Sequence, residues 1–448
     1  MENSLESQIK NISQKFVDLI KESGKEILVV SHFDTDGISS AAILVQTLKR
    51  LDKKFSLKIL KGLEKNFTKT LPEDRIIFFL DLGSGVLDEL GRVFNDNIFV
   101  IDHHEVHQKI PKNVLIINTE LHENKQKISA SGLTYLFCRE INEKNKDLAK
   151  LSVLGMIGDL LEKEIDKLNH SILEDSEVKR KRGLLVYPAT RPLNITLEFS
   201  SNPFIPGVTG DQKGVLELLR DAELTTEDGK YKSLLELKEE EMERLVTSIS
   251  LRNPSMKHEE LLGDIFLVKM FNKLEDAREL SAKINACSRM GEPEIALQMC
   301  LESTKAKKRA DAIHIKYKQE ILSGMRFVAE TQKISGEGFV IINAQDNIKE
   351  TIVGTIASII SNSSTYSRGT AIFTMAYDQE NIQKIKVSAR AVGREGKNVR
   401  QILSKVIDLT GGEVGGHEFA AGCVISREKE NEFIDCLKKN FEIELVKI

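Results

Sequence analysis

The chain has no tryptophan, only 6% aromatic residues and eight prolines in 448 residues. It also has no apolar run approaching the roughly 18 residues that a membrane-spanning helix needs. Its five cysteines (Cys138, Cys287, Cys300, Cys423, Cys436) are odd in number, widely spaced and without a CxxC pair, so they form neither a disulfide framework nor a cysteine zinc site. Neither sign of charge dominates: 64 Lys and Arg against 68 Asp and Glu leave −4, which excludes a uniformly basic coat and leaves any basic groove to be found locally. The amino-terminal MENSLESQIKNISQKF is polar, unlike the apolar core of a secretory signal, and the expected location is the cytoplasm. With 41% hydrophobic and 29% charged residues, the composition is that of a globular chain of two or three domains, so function must lie in particular sites.

From residue 26 to about 160, short apolar runs alternate with amphipathic stretches, the βαβ rhythm of a mostly parallel sheet flanked by helices. Strands are expected at Glu26–Val30, Phe55–Leu60, Arg75–Leu80, Asn97–Ile101 and Val114–Ile117, and helices at Ser39–Leu51, Val86–Phe94 and Ser131–Lys144. The segment 163–185, with its KRKR run at Lys179–Arg182, reads as polar helix or surface connection. It leads into a stretch where Pro188, Pro192, Pro203 and Pro206 predict irregular chain. Strong helix formers dominate 212–262, suggesting a helical insertion, and Asp276–Leu322 reads as helical again. A smaller α/β unit begins near Gly336, with strands Gly338–Asn343, Ala371–Ala376 and Lys384–Ala389, helices Thr351–Ile360, Val399–Leu409 and Glu428–Asn440, and a strand-like FEIELVKI at the end.

Four times in the first 160 residues a hydrophobic run stops at an acidic or histidine cluster. EILVV precedes His32-Phe33-Asp34-Thr35-Asp36-Gly37, RIIFFL precedes Asp81, NIFVI precedes Asp102-His103-His104, and LSVLGMIG precedes Asp159. In an open parallel sheet, ligands bind beyond the carboxyl ends of the strands, so these clusters should converge there. His32, Asp34 and Asp36 stand at i, i+2 and i+4, which puts them on one side if the chain stays extended past Val30. So many carboxylates and imidazoles in one place require cations, because buried like charges repel and desolvation is costly. Oxygen-rich ligands suggest Mg²⁺ or Mn²⁺, and the imidazoles favour Mn²⁺. About seven ligands exceed the needs of one ion. Two ions roughly 3.5–4 Å apart, bridged by a carboxylate, would activate water for in-line displacement at phosphorus. His107, His122, His170, His258 and His314 lack acidic partners at ligand spacing and are expected to be surface or helix residues.

Together HFDTDG, the isolated Asp81, DHH at 102–104 and GD at 158–159 resemble the DHH superfamily of phosphoesterases. The tail GGEVGGHEFAAG at 411–422 resembles the glycine-rich signature of that superfamily's second domain, DHHA1. Asn285-Ala286-Cys287-Ser288-Arg289 is similar to the Asn-Ala-x-Gly-Arg segment of RecJ-type nucleases, with Ser288 in place of the usual Gly, and RPLNITLEFSSNPFIPGVTGD is similar to archaeal RecJ-like proteins of the GINS-associated nuclease type.

The resemblance implies a DHH catalytic domain at 1–211, a helical insertion at 212–262, a return to the DHH domain with a linker helix at 263–330, and a DHHA1 substrate-binding domain at 331–448, the two lobes facing a cleft. It implies that His32, Asp34 and Asp81 hold one ion and Asp36, Asp81, His103 and Asp159 a second, with Asp81 as bridge. Asp102 would orient a histidine and His104 would face the scissile phosphate. Asn285, Arg289, Arg390, Gly415, Gly416 and His417 would bind substrate. The activity implied is a Mn²⁺-favouring exonuclease on single-stranded DNA or RNA, in replication or repair, with the GINS and replicative helicase complex as partner. Few aromatics point to backbone contacts rather than base stacking. The alternatives are a phosphodiesterase of short oligonucleotides or small nucleotides, and a replisome scaffold with secondary nuclease activity.

Overall fold

In the computed structural model, residues 4–63, 67–94, 97–200, 203, 205–225, 229–253, 261–363 and 365–442 are described. The chain divides into two compact units, Met1–Arg191 with Lys232–Leu237 and Leu262–His314, and Pro192–Tyr231 with Lys238–Leu261 and Ile315–Ile448.

The first unit is built on a parallel sheet of β1 (Ile27–His32), β2 (Phe55–Leu60), β3 (Ile76–Leu80), β4 (Ile98–Ile101) and β5 (Val114–Ile117), in the order β2-β1-β3-β4-β5. The central strands β3 and β4 are apolar at every position, and β1 is apolar up to Val30, because both faces are covered. Ile27, Val29, Ile76, Phe78, Phe99 and Ile117 point into one core with the helices Leu5–Glu22, Thr35–Arg50, Ala130–Ile141 and Ala149–Gly158. Leu28, Val30, Ile77, Phe79, Val100 and Ile116 point into the other, against Leu87 and Leu90 of the helix Leu87–Val93. Phe16 sits edge-on to Phe78 and Phe99, with ring centroids 5.1 and 5.6 Å away.

The strands fall within two residues of their expected limits, since apolar runs bounded by turn residues carry their own ends. Several elements differ from expectation, three of them as follows. The polar amino terminus is the helix Leu5–Glu22, capped by Ser4 and burying Leu5, Ile9, Ile12, Phe16 and Ile20; its apolar stripe is dilute in composition but regular in spacing. The basic run at 179–182 is neither helix nor connection but β6 (Lys179–Leu184), the edge of an antiparallel sheet with β7 (Leu262–Met270) and β8 (Lys273–Asp276). Arg180 pairs with Asp264 and lies over the Phe266 ring, while exposed charges at an edge discourage pairing with other chains. Of the strand-like FEIELVKI, Phe441 and Glu442 close the helix Glu430–Glu442, and residues 443–448 lie outside the described chain.

The second unit contains a mixed six-stranded sheet. Its strands are β9 (Ile334–Gly336), β10 (Phe339–Asn343), β11 (Ala371–Tyr377), β12 (Lys384–Ala391), β13 (Glu413–His417) and β14 (Ala420–Ser426), in the order β13-β14-β12-β11-β10-β9, with only β10 and β11 parallel. Helices Val399–Thr410 and Glu430–Glu442 cover one face through Leu403, Val406, Phe433 and Leu437. Helices Leu193–Glu198, Gln212–Asp221 and Glu239–Arg252 belong to the same unit. Among the described residues, no helix is long and apolar enough to cross a membrane.

Candidate metal centre

At the carboxyl edge of the parallel sheet, the strand order reverses between β1 and β3, where an open α/β sheet leaves its crevice. His32 ends β1, and Asp81, Asp102 and the histidines that follow it leave β3 and β4. Asp81 still extends the ladder, donating its N–H to the Ile101 carbonyl at 2.9 Å, but adopts φ 57°. A non-glycine residue in that region stores strain of a kind concentrated at functional sites. Its side chain is turned into the crevice and buried.

The chain does not stay extended through HFDTDG. The strand ends at His32 and the helix starts at Thr35, with Asp34 as N-cap accepting from the Gly37 N–H at 3.0 Å. The extended reading fails because a carboxylate beside free helical N–H groups caps them. Asp36 therefore sits in the first helical turn, still aimed at the site. Gly37 permits so tight a turn, since a Cβ there would lie closer to the His32 carbonyl than the 3.0 Å that real Cβ atoms keep.

Among the described residues three groups of donors form, each with atoms within 4.8 Å of one another: His32, Asp34 and Asp81; Asp36, His103 and Asp159; and Asp81, His103 and His104. His32 Nδ1 is 3.1 Å from both Asp34 Oδ2 and Asp81 Oδ2. His103 Nε2 lies 3.4 Å from Asp81 Oδ1, 3.5 Å from Asp159 Oδ2 and 4.0 Å from Asp36 Oδ2. Asp81 thus faces both triplets with one oxygen each. Asp102 holds His104 Nδ1 at 2.7 Å and also accepts from Ser84 N at 2.9 Å and His103 N at 2.8 Å.

Asp36 is fully buried and accepts from Ala130 N at 2.7 Å and Ser131 N at 3.0 Å, so the positive end of the helix Ala130–Ile141 supports its charge. Ser129, Ala130 and Ser131 are not identifiable as site residues from metal-ligand spacing; the SASG run signals only an N-cap. Gly155 gives no sequence signal either. A Cβ there would press on Asp36 Oδ1 and Ser131 Oγ from closer than 3.0 Å.

Electrostatics follow from this crowding. Burial and the nearby Asp34 and Asp36 raise the Asp81 carboxyl against the pull of His103 and His32. Burial and Asp36 likewise push Asp159 well above the usual carboxylate range, with His103 opposing. Burial disfavours charge on His103, but Asp81, Asp159 and Asp36 outweigh it and lift its pKa to about 10. His32 is raised in the same way by Asp34 and Asp81. Hydrogen bonding to Asp102 is the main cause of the raised His104, whose side chain is 50% exposed.

Two buried oxygens, Asp81 Oδ1 and Asp159 Oδ2, have no hydrogen-bond donor. Both face His103 Nε2 at 3.4 and 3.5 Å, an ion pair too long to give either buried oxygen a well-formed hydrogen bond. A divalent cation in each triplet would satisfy them, and the mixture of carboxylates and imidazoles suits Mn²⁺ or Mg²⁺.

The remaining candidates lie elsewhere. Asn285 is on the helix Ala277–Arg289, its Oδ1 accepting from Thr35 N at 3.1 Å; Arg289 ends that helix. Buried Ser288 has an unpartnered hydroxyl. Arg390, the penultimate residue of β12, bonds Ser358 Oγ at 3.0 Å and the Ala389 carbonyl at 2.8 Å. Ala420 pairs with Arg390 on one side and His417 on the other, so those two share a row of the sheet, with Gly415 and Gly416 exposed on β13. Of the other histidines, His122 bonds Gln8 at 2.9 Å, His107 pairs with Glu105, His170 is exposed, His314 is buried, and His258 lies outside the described residues.

Comparison with known proteins gives consistent assignments. Residues 26–156 match the DHH family N-terminal domain, 187–258 the DHH-CID domain and 337–442 the DHHA1 domain. An uncharacterized protein of Methanocaldococcus jannaschii is 27% identical over 448 residues, covering 95% of this chain and 96% of its own. A prophage-derived protein of Bacillus subtilis named as a single-strand DNA-specific exonuclease is 29% identical over 168 residues, 34% of this chain and 29% of its own. Among solved structures, RecJ of Thermus thermophilus in complex with Mn²⁺ aligns with a TM-score of 0.61 and 17% identity, over 97% of this chain and 54% of that one. CDC45 from Entamoeba histolytica aligns with a TM-score of 0.68 and 12% identity, over 97% and 99%. The chain thus spans about half the length of the Thermus RecJ and under a third of the Bacillus protein, and these structures speak for the fold. The chain thus carries, in order along its length, segments that match the DHH family N-terminal domain, the DHH-CID domain and the DHHA1 domain.

Proposed function

We propose that the protein is a divalent-metal-dependent phosphodiesterase that shortens single-stranded nucleic acid from an end. The observation that carries this reading is the pair of triplets faced by the two oxygens of Asp81, with Asp81 Oδ1 and Asp159 Oδ2 buried and without a hydrogen-bond donor beside His103. His32, Asp34 and Asp81 would hold one ion and Asp36, Asp81, His103 and Asp159 the other. Mn²⁺ is favoured by the imidazoles and Mg²⁺ is the alternative. The ions supply a lowered pKa for attacking water and neutralise charge on the phosphate.

The chain's own groups divide the remaining work. Asp81 keeps the two triplets at one spacing by offering an oxygen to each. Asp102 accepts from His104 Nδ1 and favours the imidazolium, whose Nε2–H can donate to a phosphate oxygen and stabilise developing charge. In the second unit, Arg390, His417 and the exposed backbone of Gly415 and Gly416 offer donors to a substrate phosphate, with Asn285 and Arg289 as further contacts. Domain boundaries at 1–211, 212–262, 263–330 and 331–448 belong to this reading.

The Bacillus relative's name supports single-stranded DNA as substrate, and the Thermus RecJ complex supports Mn²⁺. The likeness to CDC45 favours a second reading, a replisome component, with GINS as partner, in which cleavage is secondary. The full set of ligands supports catalysis, because scaffolding needs no buried cluster of like charges.

Digestion of single-stranded DNA and RNA, labelled separately at each end, with Mn²⁺, Mg²⁺ or EDTA and an Asp81→Ala control tests the proposal. Metal-dependent stepwise shortening of long strands is expected. Cleavage confined to oligomers of a few nucleotides would favour a small-substrate phosphodiesterase, and no cleavage would favour the scaffold.

A further inference from the structure

Thr35 stands between Asp34 of one triplet and Asp36 of the other, and its backbone N–H and hydroxyl are both engaged by residues about 250 positions away. Its N–H donates to Asn285 Oδ1 at 3.1 Å, its hydroxyl donates to the Ser281 carbonyl at 3.0 Å, and the Ser281 hydroxyl reaches Thr35 Oγ1 at 3.2 Å. The N–H is one of the first-turn donors for which a helix has no internal acceptor, and the Asp34 carboxylate is occupied with Gly37 N and His32. Because the Thr35 N–H can only donate, the facing Asn285 atom must be the amide oxygen.

The grip is tight from both sides. Thr35 is buried, and a Cβ at Gly158, next to Asp159, would approach Thr35 Cβ to 2.8 Å. Ser281 and Asn285 are four apart and so share one face of the helix Ala277–Arg289. That helix is held in its turn. Buried Lys283 pairs with Glu279 at 3.1 Å and Asp311 at 2.6 Å, and the N-cap Asp276 accepts from Ala189 N at 2.8 Å.

We infer that Asn285, assisted by Ser281, is a positioning residue: it clamps the Asp34–Thr35–Asp36 turn and so sets the spacing between the two ligand triplets. This rests on the metal reading above and gives Asn285 a role separate from contact with substrate. The clamp resists the like-charge repulsion that would otherwise drive Asp34 and Asp36 apart before a cation arrives.

The test uses the full-length protein with two readouts: hydrogen exchange at the Thr35 amide in the metal-free protein, and Mn²⁺ affinity by titration calorimetry without substrate. Asn285→Ala is expected to speed exchange and to weaken Mn²⁺ binding roughly 10- to 100-fold, as loss of a group that orients a ligand does. Asn285→Asp keeps an acceptor for the Thr35 N–H and should restore slow exchange. Ser281→Ala, which removes one hydroxyl, poses the same question more mildly should Asn285→Ala not fold.

Unchanged exchange and Mn²⁺ affinity in Asn285→Ala, with only the KM for an oligonucleotide raised, would make Asn285 a substrate contact and overturn the clamp. So would exchange in Asn285→Asp as fast as in Asn285→Ala. Failure of the unaltered protein to bind Mn²⁺ would sink the metal reading instead, with the exchange data still deciding the clamp.

Discussion

Replacing Gly155 with alanine sets two principles against each other. Gly155 lies inside the helix Ala149–Gly158, where alanine is ordinarily the more stable choice by about 1 kcal/mol. The structure demands the opposite sign. The added methyl would meet Ser131 Oγ and Asp36 Oδ1 from closer than 3.0 Å, and neither belongs to a flexible chain end: Ser131 bonds Ser129, and Asp36 is anchored on Ala130 N and Ser131 N. Overpacking of this kind costs about 1–3 kcal/mol. Displacing Asp36 from one of its donors leaves a buried N–H unpaired for a further ~1–3 kcal/mol. Set against the propensity gain, the net is a loss of about 1–5 kcal/mol. A loss near the middle of that range, about 3 kcal/mol, lowers Tm by roughly 6–12 °C for a unit of this size. Differential scanning calorimetry of the metal-free protein reads the first effect, and Mn²⁺ titration the second, since Asp36 can no longer sit between His103 and the Ala130 N–H. A variant with a raised Tm and native Mn²⁺ affinity would refute the packing argument around Asp36.

Asp81→Ala should abolish Mn²⁺ binding and cleavage together while the metal-free protein largely keeps its thermal stability, because a buried, repelled carboxylate is removed; near-normal turnover would rule out the shared-ligand arrangement. His104→Ala is expected to lower kcat by at least ten-fold with Mn²⁺ affinity little changed, and an equal loss of bound metal would make His104 a ligand. For pH, His103 must shed its proton to accept a cation. With its pKa raised to about 10, Mn²⁺ uptake at pH 7–8 should release protons and tighten as pH rises, which calorimetry in buffers of different ionisation heat would show. In the metal-free protein the sign reverses: the His103 contribution to stability is complete below its unfolded value near 6.5 and disappears as pH climbs through about 10, so a Tm that rose over that interval would contradict the assignment. Arg390→Ala and His417→Ala should each weaken oligonucleotide binding several-fold with Mn²⁺ affinity intact, and unchanged binding would return both to a structural role.

The strands of the first unit and the convergence of His32, Asp81 and Asp102 were legible because β1, β3 and β4 are short, mainly apolar runs that lead into an imidazole or a carboxylate, and a parallel sheet aligns those ends. What sequence could not show was how the chain leaves the strand. The i, i+2, i+4 spacing of His32, Asp34 and Asp36 suits an extended chain, yet the capping preference of Asp34 starts a helix three residues after His32. The same blindness covers Ala130 N, Ser131 N and Gly155, whose roles are a backbone donor or an absent side chain. Both act through distance alone. The run Lys179–Arg182 misled for another reason, since an edge strand needs only one anchored face and tolerates charge on the other.

The reach of the helix Ala277–Arg289 back to Thr35 has a consequence for synthesis. All six residues of the two ligand triplets are in the chain once Asp159 has been added, but the asparagine that holds their turn follows 126 residues later. At translation rates of about 5–20 residues per second that gap lasts roughly 6–25 s. During it the nascent chain carries the acidic cluster without its brace. If the clamp holds as inferred, a braced centre forms only after the intervening basic strand and the segment 192–261 have been made.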